Sequence, residues 1–174
     1  MKYLVKFFVV TFFLLVCTHT IAQEKIAVLD LTFVLNKSKA GKSAQDFLKK
    51  SFQDNAKKFS DMEEKLKNDE IDLLGKKTIL TKEEYSRKGD TLRKKVIDYQ
   101  SQRRMSLDKI TTQRAEAREI LIKKMKPILE TYISENNISI VIDKRNILEV
   151  NPDNDITAVI VEKLNKELPS LNLK

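Results

Sequence analysis

The sequence predicts an α+β fold in which a long antiparallel helical hairpin, a coiled-coil-like arm, projects from a small β body that further copies complete. Two short segments rich in β-branched residues, Lys25 to Asp30 and Ile138 to Asp143, have the length and composition of buried strands. Between them run about a hundred residues with no proline before Pro127, almost no glycine and a heavy load of lysine and arginine. Helices that long cannot bury themselves against so little other chain. They pack on a partner helix or on copies of themselves, or they stand in solvent for another molecule to use. The combination points to a binding or interaction protein rather than an enzyme.

The chain opens with a charged start at Lys2 and Lys6, an apolar core from Phe7 to Val16 and a polar end from Thr18 to Ala22. This is the pattern of a secretory signal peptide, with small residues placed for cleavage before Gln23. Its apolar core is shorter than the roughly 20 residues that span a bilayer. Val16 stands where a lipidated Cys17 would need a small residue before it. Cys17 and His19, the only cysteine and histidine, leave with the peptide. The exported chain then has no thiol, disulfide or imidazole, which excludes Cys/His zinc sites, Cys-His nucleophilic pairs and Ser-His-Asp triads. Without disulfides, its stability comes from packing or association.

After the first strand, Leu31 to Leu35 continues apolar and turns into a short helix near Asn36. Phe52, Phe59, Met62, Leu66 and Leu73 then recur at heptad-like steps between mostly charged residues, an a/d seam that Asp69 makes imperfect. Gly75 is placed to end this helix as a left-handed cap. Thr81-Lys82-Glu83-Glu84 is a capping box that starts the next helix after a tight turn. Leu92, Val96 and Tyr99 give one seam on the second helix. Leu107, Ile110, Ala117, Leu121, Ile128 and Tyr132 give another in shifted phase, the shift falling around Arg103-Arg104. At about 1.5 Å per residue the two helices reach roughly 55 and 80 Å, with Pro127 expected to kink the second.

Glu135-Asn136-Asn137 ends that helix. Ile138 to Asp143 and Ile147 to Val150 then read as a hairpin over Lys144-Arg145-Asn146. A loop from Asn151 to Asp155 follows, with Asp155 as cap of a final amphipathic helix from Ile156 to Leu168. Three short strands give little core, and edges this apolar invite aggregation unless paired. The expected organisation is a signal peptide at 1–22, a β body from 23–36 and 127–174, and an arm at 37–126.

Charge divides along the same lines. Residues 37–126 hold 25 basic and 15 acidic residues, a net of +10, whereas 127–174 carry −3 and 23–36 carry −1. The end of the arm nearest the turn is most basic, with Lys76, Lys77, Lys82, Arg87, Lys88, Arg93, Lys94, Lys95, Arg103 and Arg104. Ordinary i,i+4 pairing on a solvated helix explains part of this load but not the excess. A field of this sign speeds encounter with acidic partners and weakens with salt.

Other chemistry is excluded residue by residue. Ala40-Gly41-Lys42-Ser43 follows a strand and opens a helix, like the tail of a phosphate-binding loop, but Asn36 stands where the motif needs its first glycine. Asp153 and Asp155 lack the spacing and glycine of a calcium loop. Glu63-Glu64 and Glu83-Glu84 lie on exposed helix, without the burial that tunes a general acid. Asn137-Ile138-Ser139 matches a glycosylation sequon, a pattern frequent by chance. No catalytic residue, metal site or cofactor is expected. Of the arm's aromatic and methionine residues Phe47, Phe52, Phe59, Met62, Tyr85, Tyr99 and Met105, most suit interhelical packing, and the remainder suit changeable contacts with a partner's apolar segments.

The mature chain resembles the Skp/OmpH family of periplasmic chaperones. The run KIAVLDLTFVLNKSKAGKSAQ, residues 25–45, is similar to the family's opening strand and helix entry. The run ISIVIDKRNILEVNPDNDITAVIVEKLN, residues 138–165, is similar to its closing segment, Asp155-Ile156-Thr157 with Val159 and Leu164-Asn165 being the most specific part. The arm matches in character and length only. The resemblance implies a homotrimer whose body is completed by trimerisation, with Ile26, Val28, Ile140, Ile142 and Ile147 in that trimer body. It implies an ATP-independent holdase in the periplasm, binding unfolded outer-membrane proteins in a cavity between the basic arms, with transient contact to anionic membrane or lipopolysaccharide. The readings that compete with it are a basic histone-like protein, for which no groove-reading module is present, a structural envelope protein without chaperone activity, and a degenerate P-loop NTPase.

Overall fold

The computed structural model describes residues 24–173. The signal-peptide reading of residues 1–22 lies outside the described residues. Strand β1 (Lys25–Leu29) leads into a short helix α1 (Leu31–Lys37), and two long helices follow, α2 (Lys39–Gly75) and α3 (Lys82–Glu135). Strand β2 (Ile138–Asp143), two 3₁₀ turns (Lys144–Asn146 and Pro152–Asn154) and helix α4 (Thr157–Glu167) complete the chain. This is the expected mostly helical α+β architecture, two long helices on a small sheet.

The caps explain where the helices start. Asp30 accepts the Phe33 amide at 2.7 Å, and Ser38 accepts the Gly41 amide at 3.1 Å. Thr81 and Glu84 form the reciprocal capping box: the threonine hydroxyl accepts the Glu84 amide at 3.2 Å, and the glutamate accepts the Thr81 amide at 3.1 Å. Gly75 differs from expectation. It is the last helical residue and its φ is not positive; the end is closed at Lys76 (φ −94°), whose amide donates to Asp72 and whose ammonium bonds the same residue's carboxylate. The left-handed residue is Asn137 instead, at φ 51° beyond α3, where the Asn136 side chain also caps the Tyr132 carbonyl. Asparagine tolerates that conformation as few residues do. Pro127 lies within the continuous helix α3 at an exposed position, and the carbonyl it cannot serve belongs to Lys123, itself an exposed residue.

The sheet departs from the predicted hairpin. β1 and β2 run parallel, with Ile26 opposite Ile140 and Val28 opposite Ile142, so the whole arm is the crossover between them. Ile147 to Val150 forms no strand. The Asp143 carboxylate accepts the Arg145 amide at 3.0 Å and turns the backbone into a 3₁₀ helix, and 144–146 contains none of the positive-φ residues that a tight hairpin turn uses. β1's other edge is taken instead by a bridge to Asp155, with the Ile156 amide donating to the Val28 carbonyl at 2.9 Å. Ile156, not Asp155, occupies the cap position of α4, although the Asp155 carboxylate still accepts the Thr157 amide at 3.0 Å.

The body is better packed than three isolated strands would allow. Ala27, Leu29, Val34, Met125, Ile138, Ile156, Ile160 and Leu164 form one apolar cluster. A second joins Leu35, Ala40, Ala44, Ala117 and Leu121 to Leu171 of the C-terminal tail. Gly41 has a specific reason: a Cβ there would overlap the Leu35 carbonyl, where α2 leaves α1.

Candidate functional site

The outer arm is held by a thin seam. Phe59 and Tyr99 meet edge-on with ring centroids 6.0 Å apart, and the Tyr99 hydroxyl donates to Glu63 at 3.2 Å. Lys58 reaches Gln102 at 3.3 Å and Lys95 pairs with the seam residue Asp69 at 2.6 Å. These pairs fix an antiparallel register. Inward of Tyr99 the shielded positions of α3 are Gln102, Ser106 and Ile110, and those of α2 are Asn55 and Ser51. Tyr99 to Ile110 is an eleven-residue step rather than a heptad. For that reason the seam bypasses Leu107, which is 47 % exposed, and takes in Gln113, which sequence reasoning missed. Phe52, also placed in the seam by its spacing, is largely exposed.

The ten cations expected to bind a partner all lie on this outer half, exposed except for the half-buried Lys76. Three are in salt bridges: Lys76 with Asp72, Arg93 with Asp90 and Lys95 with Asp69. Among the described residues Lys77, Lys82, Arg87, Lys88, Lys94, Arg103 and Arg104 make none. At about 100° per residue those on α3 fan out around the helix, giving a sleeve of positive potential rather than a stripe. The Glu84 carboxyl within it is held below its ordinary range, first by the hydrogen bonds from Thr81 and then by Arg87 and Lys88.

Apolar side chains stand among these charges. Ile71, Leu74, Ile79, Ile97 and Met105 are all more than half exposed, Ile79 at the turn by 78 %. None of the five was singled out as exposed from the sequence; the signal for the isoleucines and Leu74 was their position off the seam phase. A cleft of about 750 Å³ also follows the outer seam, floored by Leu66, Leu92, Val96 and Tyr99 and rimmed by charged residues such as Lys67, Glu70, Arg93 and Arg103. The surface can therefore attract an acidic chain at a distance and offer it small apolar contacts on arrival.

The five residues expected in the trimer body differ in exposure, and Ile147 lies outside both strands. Ile26 and Ile140 face each other across the sheet and are exposed, while Ile142 and Ile147 are half-buried. Val28 is 1 % exposed and is covered within its own chain, so it supports the sheet from inside. Phe33 and Leu148, not singled out from sequence, add exposed apolar surface to the body. The outer edge of β2 pairs with no other strand among the described residues.

The phosphate-loop look-alike resolves into capping. The Gly41 amide is used by the Ser38 side chain, the Lys42 amide by the Ser38 carbonyl, and the Lys39 amide by Asn165 of α4 at 2.6 Å. Body electrostatics are likewise structural. Hydrogen bonds from Arg145 hold Asp143 below the usual carboxylate range. For Asp155, burial pushes upward but is outweighed by the bonds from Lys144 and Thr157, so its carboxyl too sits low.

Comparison with known proteins agrees with this architecture. The chain is 24 % identical to a Skp-like protein of Pseudomonas aeruginosa over 170 residues, covering 95 % of this chain and 99 % of the relative. Its fold matches a crystal structure from Caulobacter crescentus, described as an OmpH-like outer membrane chaperone, with a TM-score of 0.82 and 19 % identity over 90 % of this chain and 93 % of that one. The family model for outer membrane protein (OmpH-like) matches residues 25–164, and the chain belongs to that family.

Proposed function

We propose that this protein is an ATP-independent holdase chaperone of the periplasm that binds unfolded outer-membrane proteins between the basic arms of a homotrimer. The observation that carries the proposal is the outer arm itself, where seven cations outside any salt bridge are interleaved with apolar side chains that nothing in the fold requires to be exposed. A folded partner with one complementary patch does not need such a surface. An unfolded acidic chain does, because many weak contacts add through effective concentration. Membership of the OmpH-like family and the names of the Pseudomonas and Caulobacter relatives support the chaperone reading.

Trimerisation is supported by the open edge of β2 together with exposed Ile26, Ile140, Phe33 and Leu148 on the body. Signal-peptide composition at residues 1–22 supports export. The turn, with exposed Ile79 beside Lys77 and Lys82, suits transient contact with anionic membrane or lipopolysaccharide.

Aggregation of a denatured outer-membrane β-barrel, followed at low and high salt beside a soluble acidic control protein, tests the function. Selective suppression for the β-barrel, with slower capture as salt rises, is the expected result. Equal treatment of both substrates would reduce the protein to a generic polycation. Light scattering that shows a compact monomer at micromolar concentration would remove the trimer.

A further inference from the structure

The two flanks of the arm's root are finished differently. On one flank the C-terminal tail crosses the seam between α2 and α3: the Ser43 hydroxyl donates to the Leu171 carbonyl at 3.4 Å, and Leu171 is buried against the cluster of Leu35, Ala44, Ala117 and Leu121. Leu173 packs there too, while Asn172 between them is exposed. On the other flank the same four residues and Leu48 floor an open groove of about 440 Å³. Ser43 and the groove residues Gly41 and Gln45 lie about 200° apart around α2, so the tail leaves this second flank uncovered. Along the groove's α3 wall stand Arg114 and Arg118, one turn apart with Ala115 beside them. Neither guanidinium has a carboxylate partner among the described residues.

We propose that this groove is a docking site for an extended, alternately apolar segment of an unfolded client chain that carries a carboxylate. The proposal rests on the holdase reading and names the client chemistry that the root selects. The protein's own tail shows what the seam accepts: an extended stretch whose residues i and i+2 point to the cluster while the one between faces water. Small residues make the room, since Ala44, Ala115 and Ala117 line the groove where longer side chains would close it. The two arginines add what the tail's flank does not require, a fork of donors that fits a carboxylate bidentately. The outer sleeve acts at a distance and is blind to sequence, whereas this groove reads a pattern of apolar alternation plus one acid.

The test titrates two short labelled peptides, alternating leucine and threonine with a central glutamate or a central lysine, onto the assembled mature chain by fluorescence anisotropy. The glutamate peptide is expected to bind about tenfold tighter than the lysine peptide. Arg114→Gln with Arg118→Gln is expected to reduce that preference to the salt-sensitive remainder contributed by the outer sleeve, and an unchanged preference overturns the proposal. Ala115→Trp, which fills the groove from an exposed position, is expected to weaken both peptides about tenfold with the sedimentation of the assembly unchanged. Equal binding of the two peptides, or wild-type binding by Ala115→Trp, overturns the proposal. So does a change of oligomeric state in Ala115→Trp, which would make the groove an interface between copies. If Ala115→Trp fails to fold, the arginine double variant decides on its own. Wild-type suppression of β-barrel aggregation, measured in parallel, separates the two levels: if it persists while the peptide test fails, only the groove assignment falls.

Discussion

The root of the arm and its outer half are built from the same two helices but held in different ways. At the root, Ala40 and Ala44 of α2 lie against Ala117 and Leu121 of α3, with Leu35 and Leu171 closing the cluster, and Met125 below belongs to the body core. Small side chains let the helices approach closely and exclude water. Farther out the seam holds one aromatic pair, a cross-helix ion pair, half-buried apolar residues such as Leu66, Leu92 and Val96, and polar residues such as Asn55, Gln102 and Ser106, while isoleucines and a methionine are left in solvent. The difference teaches that fully buried apolar packing is concentrated at the root, whereas in the outer seam only Phe59 and Tyr99 are buried among the described residues. A seam with few fully buried side chains is expected to open locally at lower free energy than the core that anchors it.

The comparison breaks most severely at the body core. Leu164→Ala removes a fully buried side chain and is expected to cost about 2–5 kcal/mol, seen as an early cooperative melt of body and root together. If it melted no earlier than wild type, the idea of a dense root would be wrong. Gly41→Ala is expected to cost about 1–3 kcal/mol, because the added methyl must push the Leu35 carbonyl aside; chemical denaturation midpoints measure it, and Gly89→Ala, where a Cβ meets open space, is the control. Phe59→Ala sharpens the contrast. It should speed amide exchange on both sides of the Phe59–Tyr99 contact while leaving protection of β1, β2 and α4 unchanged.

Replacing Lys77, Lys82, Arg87, Lys88, Arg103 and Arg104 by glutamine is expected to leave the melting point nearly unchanged, since exposed helix positions outside ion pairs contribute within about 0.5 kcal/mol each. The same variant should capture clients more slowly and lose most of its salt dependence in stopped-flow mixing. The smallest effect concerns pH. Asp143 and Asp155 titrate below their ordinary 3.8, so their contribution is fully present above that value and is lost as pH falls through the depressed folded values. Lys144 is raised above 10.5 by its bond to Asp155, so its contribution is present below 10.5 and fades above it. Body stability is therefore expected to be flat through neutral pH and to decline at the acid end. Asp155→Asn should blunt that decline in acid titrations followed by circular dichroism.

Much of this was legible in the sequence because it rests on local rules. The capping box at Thr81 and Glu84, which starts the second long helix, and the two apolar strands each follow from neighbouring residues. Gly75 misled because helix ends have more than one solution, and Lys76 closes this one with its own amide and ammonium. Leu107 misled because a heptad was carried across a region where the helices step by eleven, and the polar residues marking that step look like ordinary surface. Of the candidate site, the cations could be counted directly from the sequence. The exposed isoleucines, the root groove and the tail that covers its far flank depend on which helix faces meet.

By itself, then, the sequence determined that two long basic helices leave a small apolar body, where their ends lie, and that no thiol or imidazole chemistry operates in residues 23–174. Periodicity, capping and composition are short-range properties, and a single chain displays them without reference to the rest of the fold. Only the tertiary structure decided that β1 and β2 run parallel, that Asp155-Ile156 rather than a third strand closes β1, and that Val28 lies inside while Ile26 and Ile140 face out. Those outcomes turn on which distant segment reaches an open backbone edge first and best. Ile156 wins that edge because Thr157 accepts the Asp30 amide at 2.8 Å and Leu164 is buried in the same core, contacts made across more than a hundred residues of intervening arm.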